Sequence, residues 1–366
     1  MKSSRAIRII TSLSVGVVLL ASLTWLGLGR VSGQISRIDV FGGLKSRPEK
    51  TSQAVNYLVV GSDSREGLTK AQIKALRVGS TAVAAGGRSD TMLLVHISKS
   101  RDAAYVVSIP RDTLVTIPAH KSFDGKYDIP AAPGKINAAF AFGGAPLLIQ
   151  TIEGKTNLKI DHYVEVSFAG FTGIVDALGG IQVCSKVAIN DPKSHLVMSA
   201  GSHVLGGIEA LKYVRTRDFD GRGDIGRMER QQQFVSAVLR KATTSGILLN
   251  PIKLTKFYNA AISTVKMDSG VNKSDLLTLA KQMRNLSAGN LRTLTVPLSD
   301  PNATAPGIGS VVIWDPVLAP DLWTRIRNDE ALVETIKPTA KATTKAVTVD
   351  KFKTKTGAEN PCAASK

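Results

Sequence analysis

Short apolar runs alternate with stretches of helical period along most of the chain. Residues 55–60, 91–97 and 103–109 are rich in β-branched side chains, mostly apolar and bounded by turn residues, which predicts buried strands. Residues 291–296 and 311–314 predict two more. Apolar positions recur at helical spacing over 69–78, 168–178, 208–214, 225–241, 251–263 and 273–286. Strands interleaved with this many helices predict an α/β fold, one layered domain rather than a barrel of short strands. No internal repeat is visible.

The two ends break the pattern. Residues 9–29 carry no charge over 21 positions, enough for a helix to cross a bilayer core, which needs about 20 residues. Lys2, Arg5 and Arg8 precede this run, so the positive-inside rule keeps residues 1–8 in the cytoplasm and exports the rest. A cleaved signal peptide is the rival reading. The run is longer than a usual signal core, and the sequence GRVSGQ that follows has no small-residue cleavage site, which favours an uncleaved single-pass membrane anchor. Residues 30–51 then read as a stalk and 52–330 as an extracytoplasmic domain. Residues 331–366 read as a disordered tail, because they are rich in Lys, Thr and Ala and offer little apolar surface to offset chain entropy.

Charge narrows the range of partners. The formal net charge of +18 over 366 residues implies an anionic one. Outside the cytoplasm that partner is not genomic DNA, which leaves a membrane surface or a phosphorylated substrate. Cys184 and Cys362 permit one disulfide in an exported chain, with two separate thiols as the alternative.

Several common sites are missing. There is no P-loop lysine motif and no G-x-S-x-G elbow. The five histidines show no HxxxH or HExxH spacing, so a zinc hydrolase has no visible ligands. What stands out instead is Arg and Asp at strand boundaries. The strand at 55–60 runs into Gly61-Ser62-Asp63-Ser64-Arg65. Arg88-Ser89-Asp90 precedes the strand at 91–97, and the strand at 103–109 runs into Pro110-Arg111-Asp112-Thr113. Ligands of open α/β sheets bind where such ends converge. Asp63 and Asp90 suit a shared Mg²⁺, which takes one or two carboxylates plus substrate phosphates. The strongest local signal is Tyr213-Val-Arg-Thr-Arg-Asp, followed by the helix from Asp224. Ile225, Met228, Val235 and Leu239 form one apolar stripe of that helix, predicted to face the core. Arg227, Gln231, Phe234 and Val238 line the opposite side, with Arg230 beside them. That side is basic at the helix start and greasy further along, as an anionic head with an apolar chain would require. Arg215, Arg217, Arg227 and Arg230 suit bidentate phosphate contacts.

At these residues the chain resembles the LytR-CpsA-Psr family of cell-wall ligases, in its actinobacterial form. The resemblance runs over GSDSR (61–65), RSDTM (88–92), SIPRDT (108–113), KINAAF (135–140), IDHYVEVSFAGF (160–171), DALGGI (176–181), YVRTR (213–217) and GDIGRMERQQ (223–232). It implies a single three-layer α/β/α domain with a central mixed sheet and a pocket for a polyprenyl chain. It implies Mg²⁺-dependent transfer of a glycopolymer from a polyprenyl-pyrophosphate carrier to a peptidoglycan hydroxyl, releasing polyprenyl phosphate. Carried over by motif, Asp63, Asp90 and Arg111 are catalytic, and Asp63 and Asp90 hold the metal. Arg88, Arg111, Lys135, Arg215, Arg217, Arg227 and Gln231 bind the pyrophosphate, while Phe140, Phe168, Phe171, Phe234 and Val238 line the lipid pocket. Such chemistry runs by positioning and charge stabilisation. The rivals are a non-catalytic polyprenyl-glycan binding protein, a membrane-bound transcriptional attenuator and a pyrophosphatase using water. Two departures stand out. The stretch from Arg65 to Arg88 is longer than expected for the family core. Ser202 lies in the segment where actinobacterial relatives often carry a second cysteine, which leaves Cys362 as the candidate partner of Cys184.

Overall fold

A computed structural model describes residues 36–78, 89–122, 124–244, 265–271, 286, 289–336, 347–357, 359 and 362. Its centre is a mixed sheet. The strands are β1 (Ser36–Ile38), β2 (Val55–Ser62), β3 (Ser89–Ile97), β4 (Ala104–Ile109), β5 (His162–Val166), β6 (Val265–Asp268), β7 (Leu291–Thr295) and β8 (Lys355–Thr356), in the order β1-β6-β5-β2-β3-β4-β7-β8. β2 is parallel to β5 and antiparallel to β3, and β4 is antiparallel to β3 and parallel to β7. The C-terminal ends of β2, β4, β5 and β7 and the start of β3 therefore share one edge of the sheet.

The helices are α1 (Lys70–Leu76), α2 (Ile136–Thr156), α3 (Phe168–Ala177), α4 (Gly207–Arg215), α5 (Gly223–Thr244) and α6 (Leu318–Asn328). Alternation along β2 assigns its two faces. Leu58 and Val60 join Leu94 and Val107 in a core with Leu148, Ile149 and Ile152 of α2 and Leu322, Trp323 and Ile326 of α6. On the other face, Leu93 and Val106 meet Val235 and Leu239 of α5. Helices thus cover both faces, as the three-layer reading expects. A third cluster gathers Leu76 of α1, Val175 of α3, Leu211 and Tyr213 of α4 and Phe234 of α5 under two small hairpins, Ile181–Ser185 with Gly201–Leu205 and Ile189–Asp191 with Leu196–Met198. The contact between α3 and α4 is close: a Cβ on Gly207 would lie 2.5 Å from the Thr172 carbonyl oxygen.

Three expectations are corrected. Residues 36–51 are part of the domain rather than a stalk. β1 extends the sheet, Val40 is buried, and Arg47 pairs with the buried Glu153 at 2.7 Å. The tail is ordered where described: Val347–Val349 pairs with Glu334–Ile336, Phe352 is buried in the main core, and β8 extends the sheet beside β7. One large aromatic and backbone pairing supply what the composition lacked. α2, absent from the sequence expectation, is interrupted at Gly143 and Gly144, with Gly144 at φ 63°. Those glycines and Pro146 mask its helical period. α5 turns both of its apolar sides into the fold: Phe234 packs under the hairpins while Val235 and Leu239 pack on the sheet.

Residues 9–29 and the helix expected at 251–263 lie outside the described residues, as does the one at 273–286 apart from Leu286. Among the described residues no helix is long and apolar enough to cross a membrane.

Candidate functional site

The sheet edge where β2, β4, β5 and β7 end carries two adjoining hollows. The first, about 450 Å³, lies between the sheet face and the third cluster. Its walls are apolar: Val59, Leu93 and Val166 from the sheet, Phe168, Phe171 and Ile174 from α3, and Phe234, Val235, Val238 and Leu239 from α5. Phe171 and Phe234 stack with ring centroids 5.2 Å apart. Its polar lining includes Asp63 after β2, Arg215 and Arg217 at and beyond the end of α4, and Arg227 and Gln231 on α5, joined by Lys193 and Ser194. The second hollow, about 580 Å³, shares Thr91, Leu93, Arg217, Arg227 and Gln231 with the first. It continues past Arg111, Asp112 and Arg222 to a ribbon formed by Leu298–Ala305 and Gly309–Trp314.

Arg217, Arg227 and Gln231, shared by both hollows, form a neck between them, which the chain builds with specific local devices. β2 and β3 approach closely where Gly61 faces Thr91, since a Cβ on Gly61 would sit 3.2 Å from the Thr91 Cβ. Thr91 pairs with Gly61 and Ser89 with Ser62, so Asp90 is an extra residue in a β-bulge at the site edge. The Arg215 guanidinium lies 5.2 Å from the centre of the Phe168 ring, within cation–π range. Gln231 Nε2 donates to the Val214 carbonyl at 3.3 Å, tying α5 to α4. Gln232, one residue on and buried, donates to Ser108 Oγ at 3.2 Å and Thr295 Oγ1 at 2.6 Å, tying α5 to β4 and β7. Asp112 sits between two cations, 3.4 Å from Arg111 Nε and 3.2 Å from Lys135 Nζ.

Most of the sequence candidates converge here. Asp63, Arg215, Arg217, Arg227, Gln231, Phe168, Phe171, Phe234 and Val238 line the first hollow, and Arg111 lines the second. Lys135 reaches the group through Asp112. Phe140 is misplaced in the expectation, because it packs against the main core on the α2 side of the sheet. Arg88 and the Asp90 side chain lie outside what the structure describes. Arg230 is a strut rather than a ligand. It donates to Asp220 at 2.8 Å and to the Thr216 carbonyl at 2.7 Å, with its guanidinium 4.6 Å from the Phe219 ring centre. Arg222 and Glu229 form a two-pronged pair at 2.9 and 2.8 Å, and that hydrogen bond leads the lowering of the Glu229 pKa.

Sequence reasoning missed Lys193 and Gln232, and it named Asp112 only within the strand-end run 110–113, without a role. Asp112 adjoins Arg111 at a strand end and was within reach. Lys193 lies in an Asn-Asp-Pro turn with no local mark of function, and its place comes from the hairpin packing beside α4.

Cys184 bonds Cys362, with Cα atoms 5.7 Å apart. Cys184 faces Ser202 directly across the hairpin, so the family's alternative partner position is its cross-strand neighbour. Among the described residues no group of three or more His, Cys, Asp or Glu is poised to hold a metal.

The fold and site define a class: an α/β/α domain whose apolar cavity opens through an arginine-lined neck. The chain belongs to the LytR_cpsA_psr family, whose pattern matches residues 34–314. It is 35% identical over 316 residues to the probable cell wall biosynthesis protein LcpB of Corynebacterium glutamicum, covering 86% of this chain and 69% of that one. It is 40% identical over 158 residues to the polyisoprenyl-teichoic acid–peptidoglycan teichoic acid transferase TagU of Bacillus cereus, covering 43% of this chain and 48% of that one. Among solved structures, the LytR-Csp2A-Psr enzyme of Actinomyces oris superposes with a TM-score of 0.58 at 22% identity, over 80% of this chain and 96% of that one. TagT bound to LI-WTA superposes at 0.57 and 24% identity, over 80% and 99%.

Proposed function

We propose that this protein is a phosphotransferase that moves a glycopolymer from a polyprenyl-pyrophosphate carrier to a peptidoglycan hydroxyl. The observation that carries this reading is the join between an aromatic, apolar cavity and a neck lined by Arg215, Arg217 and Arg227. An apolar chain fits the walls, and a diphosphate fits guanidinium groups that offer planar paired donors. The transferase names borne by relatives support the choice of transfer over mere binding.

The reaction follows from the charge distribution. The acceptor oxygen attacks the phosphorus that bears the glycan, a new P–O bond forms, and the bond to the bridging oxygen breaks. Polyprenyl phosphate leaves with that electron pair, and the hydroxyl proton passes to a carboxylate. Negative charge spreads over the phosphoryl oxygens, and guanidinium groups fixed beforehand stabilise it without reorganising. Arg215 is held by Phe168, and Arg111 is held by Asp112. Water as acceptor would give the pyrophosphatase side reaction. Mg²⁺ fits the donor set, since Asp63 lines the neck and this ion needs only one or two carboxylates beside phosphate oxygens. Asp63 and Asp90 would hold it, and it would neutralise diphosphate charge. Residues 9–29 would anchor the domain at the outer face of the membrane, where its lipid substrate resides. The Cys184–Cys362 bond suits an oxidising compartment.

The test is transfer itself. The full chain in detergent, with Mg²⁺, a synthetic polyprenyl-diphosphate glycan and peptidoglycan strands, should form a covalent glycan–peptidoglycan product. Arg215→Ala with Arg217→Ala should abolish it. Tight lipid binding without any product would replace the enzyme by a carrier protein.

A further inference from the structure

Asp191 ends the strand Ile189–Asp191 and is 1% exposed. It lines neither hollow, yet its carboxylate collects backbone N–H groups from two chain segments that do. Oδ1 accepts from Lys193 N at 3.0 Å and Ser194 N at 2.6 Å. Oδ2 accepts from Arg217 N at 2.6 Å and Asp218 N at 2.8 Å. Lys193 and Ser194 line the apolar cavity, and Arg217 lines both hollows. A further link crosses the same gap, from Lys193 Nζ to Asp218 at 2.7 Å.

The other side of the 216–218 segment is held as well. The Thr216 carbonyl accepts from Arg230, and Thr216 Oγ1 donates to the Tyr213 carbonyl at 2.8 Å. The segment lies beyond the end of α4, where no helical hydrogen bonds continue. Its Arg217 and Asp218 amides have no helical acceptors, and the buried Asp191 carboxylate supplies them. A carboxylate satisfies several N–H donors at once, and such charged bonds are stronger than neutral ones.

We propose that Asp191 is a positioning residue for diphosphate binding, acting through Arg217: it fixes the backbone from which that guanidinium reaches the neck. The proposal rests on the lipid-diphosphate reading of the cavity. It makes a prediction that a general structural role would not. Loss of Asp191 should weaken contacts to the phosphates and spare contacts to the apolar chain, which touches α3 and α5.

The experiment measures binding of geranylgeranyl diphosphate and of uncharged geranylgeraniol to the full chain by calorimetry, with Mg²⁺ present. The ratio of the two affinities is the phosphate preference. Asp191→Ala should lower that ratio about tenfold, the scale of one charge-assisted contact, while the alcohol binds within twofold of wild type. In an Arg217→Ala background the same change should lower the ratio no further. Equal weakening of both ligands, or a full further loss without Arg217, overturns the proposal. If Asp191→Ala melts below the assay temperature, Asp191→Glu serves instead. It keeps the charge but displaces both segments by a methylene, and the same selective loss is expected. A wild-type protein with no phosphate preference overturns the lipid-diphosphate reading and the proposal together.

Discussion

Replacing Cys362 by Ser removes a cross-link that closes 178 residues of chain. In the chain-entropy picture, a closed loop of that length costs the unfolded ensemble about 17 cal/mol/K, or about 5 kcal/mol at 25 °C. Measured disulfides usually deliver about 2–4 kcal/mol, because unfolded chains keep residual structure. A loss of about 2–5 kcal/mol is therefore expected. Cys184 is buried in the hairpin beside α4 and α5, so the bond ties the tail to the lobe roofing the cavity. The assay is urea unfolding followed by circular dichroism, on oxidised wild type, wild type with dithiothreitol, Cys362→Ser and the double Cys→Ser variant. The last three should share one midpoint, since each removes the same constraint. Two reactive thiols in the oxidised protein would refute the pairing. A Cys362→Ser variant within about 0.5 kcal/mol of wild type would refute the entropic argument.

Three further outcomes follow from the packing. Arg230→Ala removes the guanidinium from the Asp220 carboxylate and the Thr216 carbonyl; a cost of about 2–3 kcal/mol is expected, because Asp220 keeps some solvent and the Arg222 N–H, and it should appear in the same urea assay. Phe352→Ala, at a side chain 5% exposed in the main core, should cost about 3–5 kcal/mol; wild-type stability would mean that the tail does not pack on the domain. Burial alone would raise the Asp191 pKa, but the backbone N–H groups of Ser194, Asp218 and Arg217 outweigh it and bring it to about 2. A lowered carboxylate pKa stabilises the fold above the unfolded value near 3.8 and is lost as pH falls through the folded value. Wild type should therefore lose its stability advantage over Asp191→Asn between about pH 4 and pH 2 in acid unfolding, and parallel curves would contradict these hydrogen bonds.

Much of this architecture was legible in the sequence, and the parts that were not share physical causes. β2, β3 and β4 are nearly continuous apolar runs because both sheet faces are covered, so they declared themselves without a period. β1, β6 and β8 are two to four residues long and lie at or near the sheet margins, where pairing rather than burial pattern makes a strand. α6 was missed beside its own strand signal, although Leu322, Trp323 and Ile326 keep helical spacing. The tail was misread because composition averages over thirty residues, whereas Phe352 and the Arg240 contacts to the Gly357 and Glu359 carbonyls fix it at points. At the site, charged residues next to strand ends were readable, since the sheet must bring those ends together. Asp112 and Asp191 were given no role, because Lys135 for the one and the Arg217 and Asp218 amides for the other are brought to them only by packing.

α5 shows why the greasy side of its amphipathic pattern was informative. A surface helix needs one apolar stripe, and residues opposite it face water. α5 carries Val235 and Leu239 toward the sheet and Phe234 toward the third cluster, so its two apolar faces hold two layers apart. Side chains that brace separate layers cannot also fill the gap between them. Phe234, Val235, Val238 and Leu239 all border the cavity that results. Polar anchors fix its floor and mouth: Gln232 pins α5 to β4 and β7, and Gln231 pins it to α4. Arg227 and Gln231 precede the aromatic stretch by a turn or two, so the cationic neck and the apolar walls follow from a single helix read from its N-terminus. On the proposed reading, an anion with a long apolar chain suits this gradient, because reversing it would bury charge against Phe171 and Phe234 at a cost of several kcal/mol.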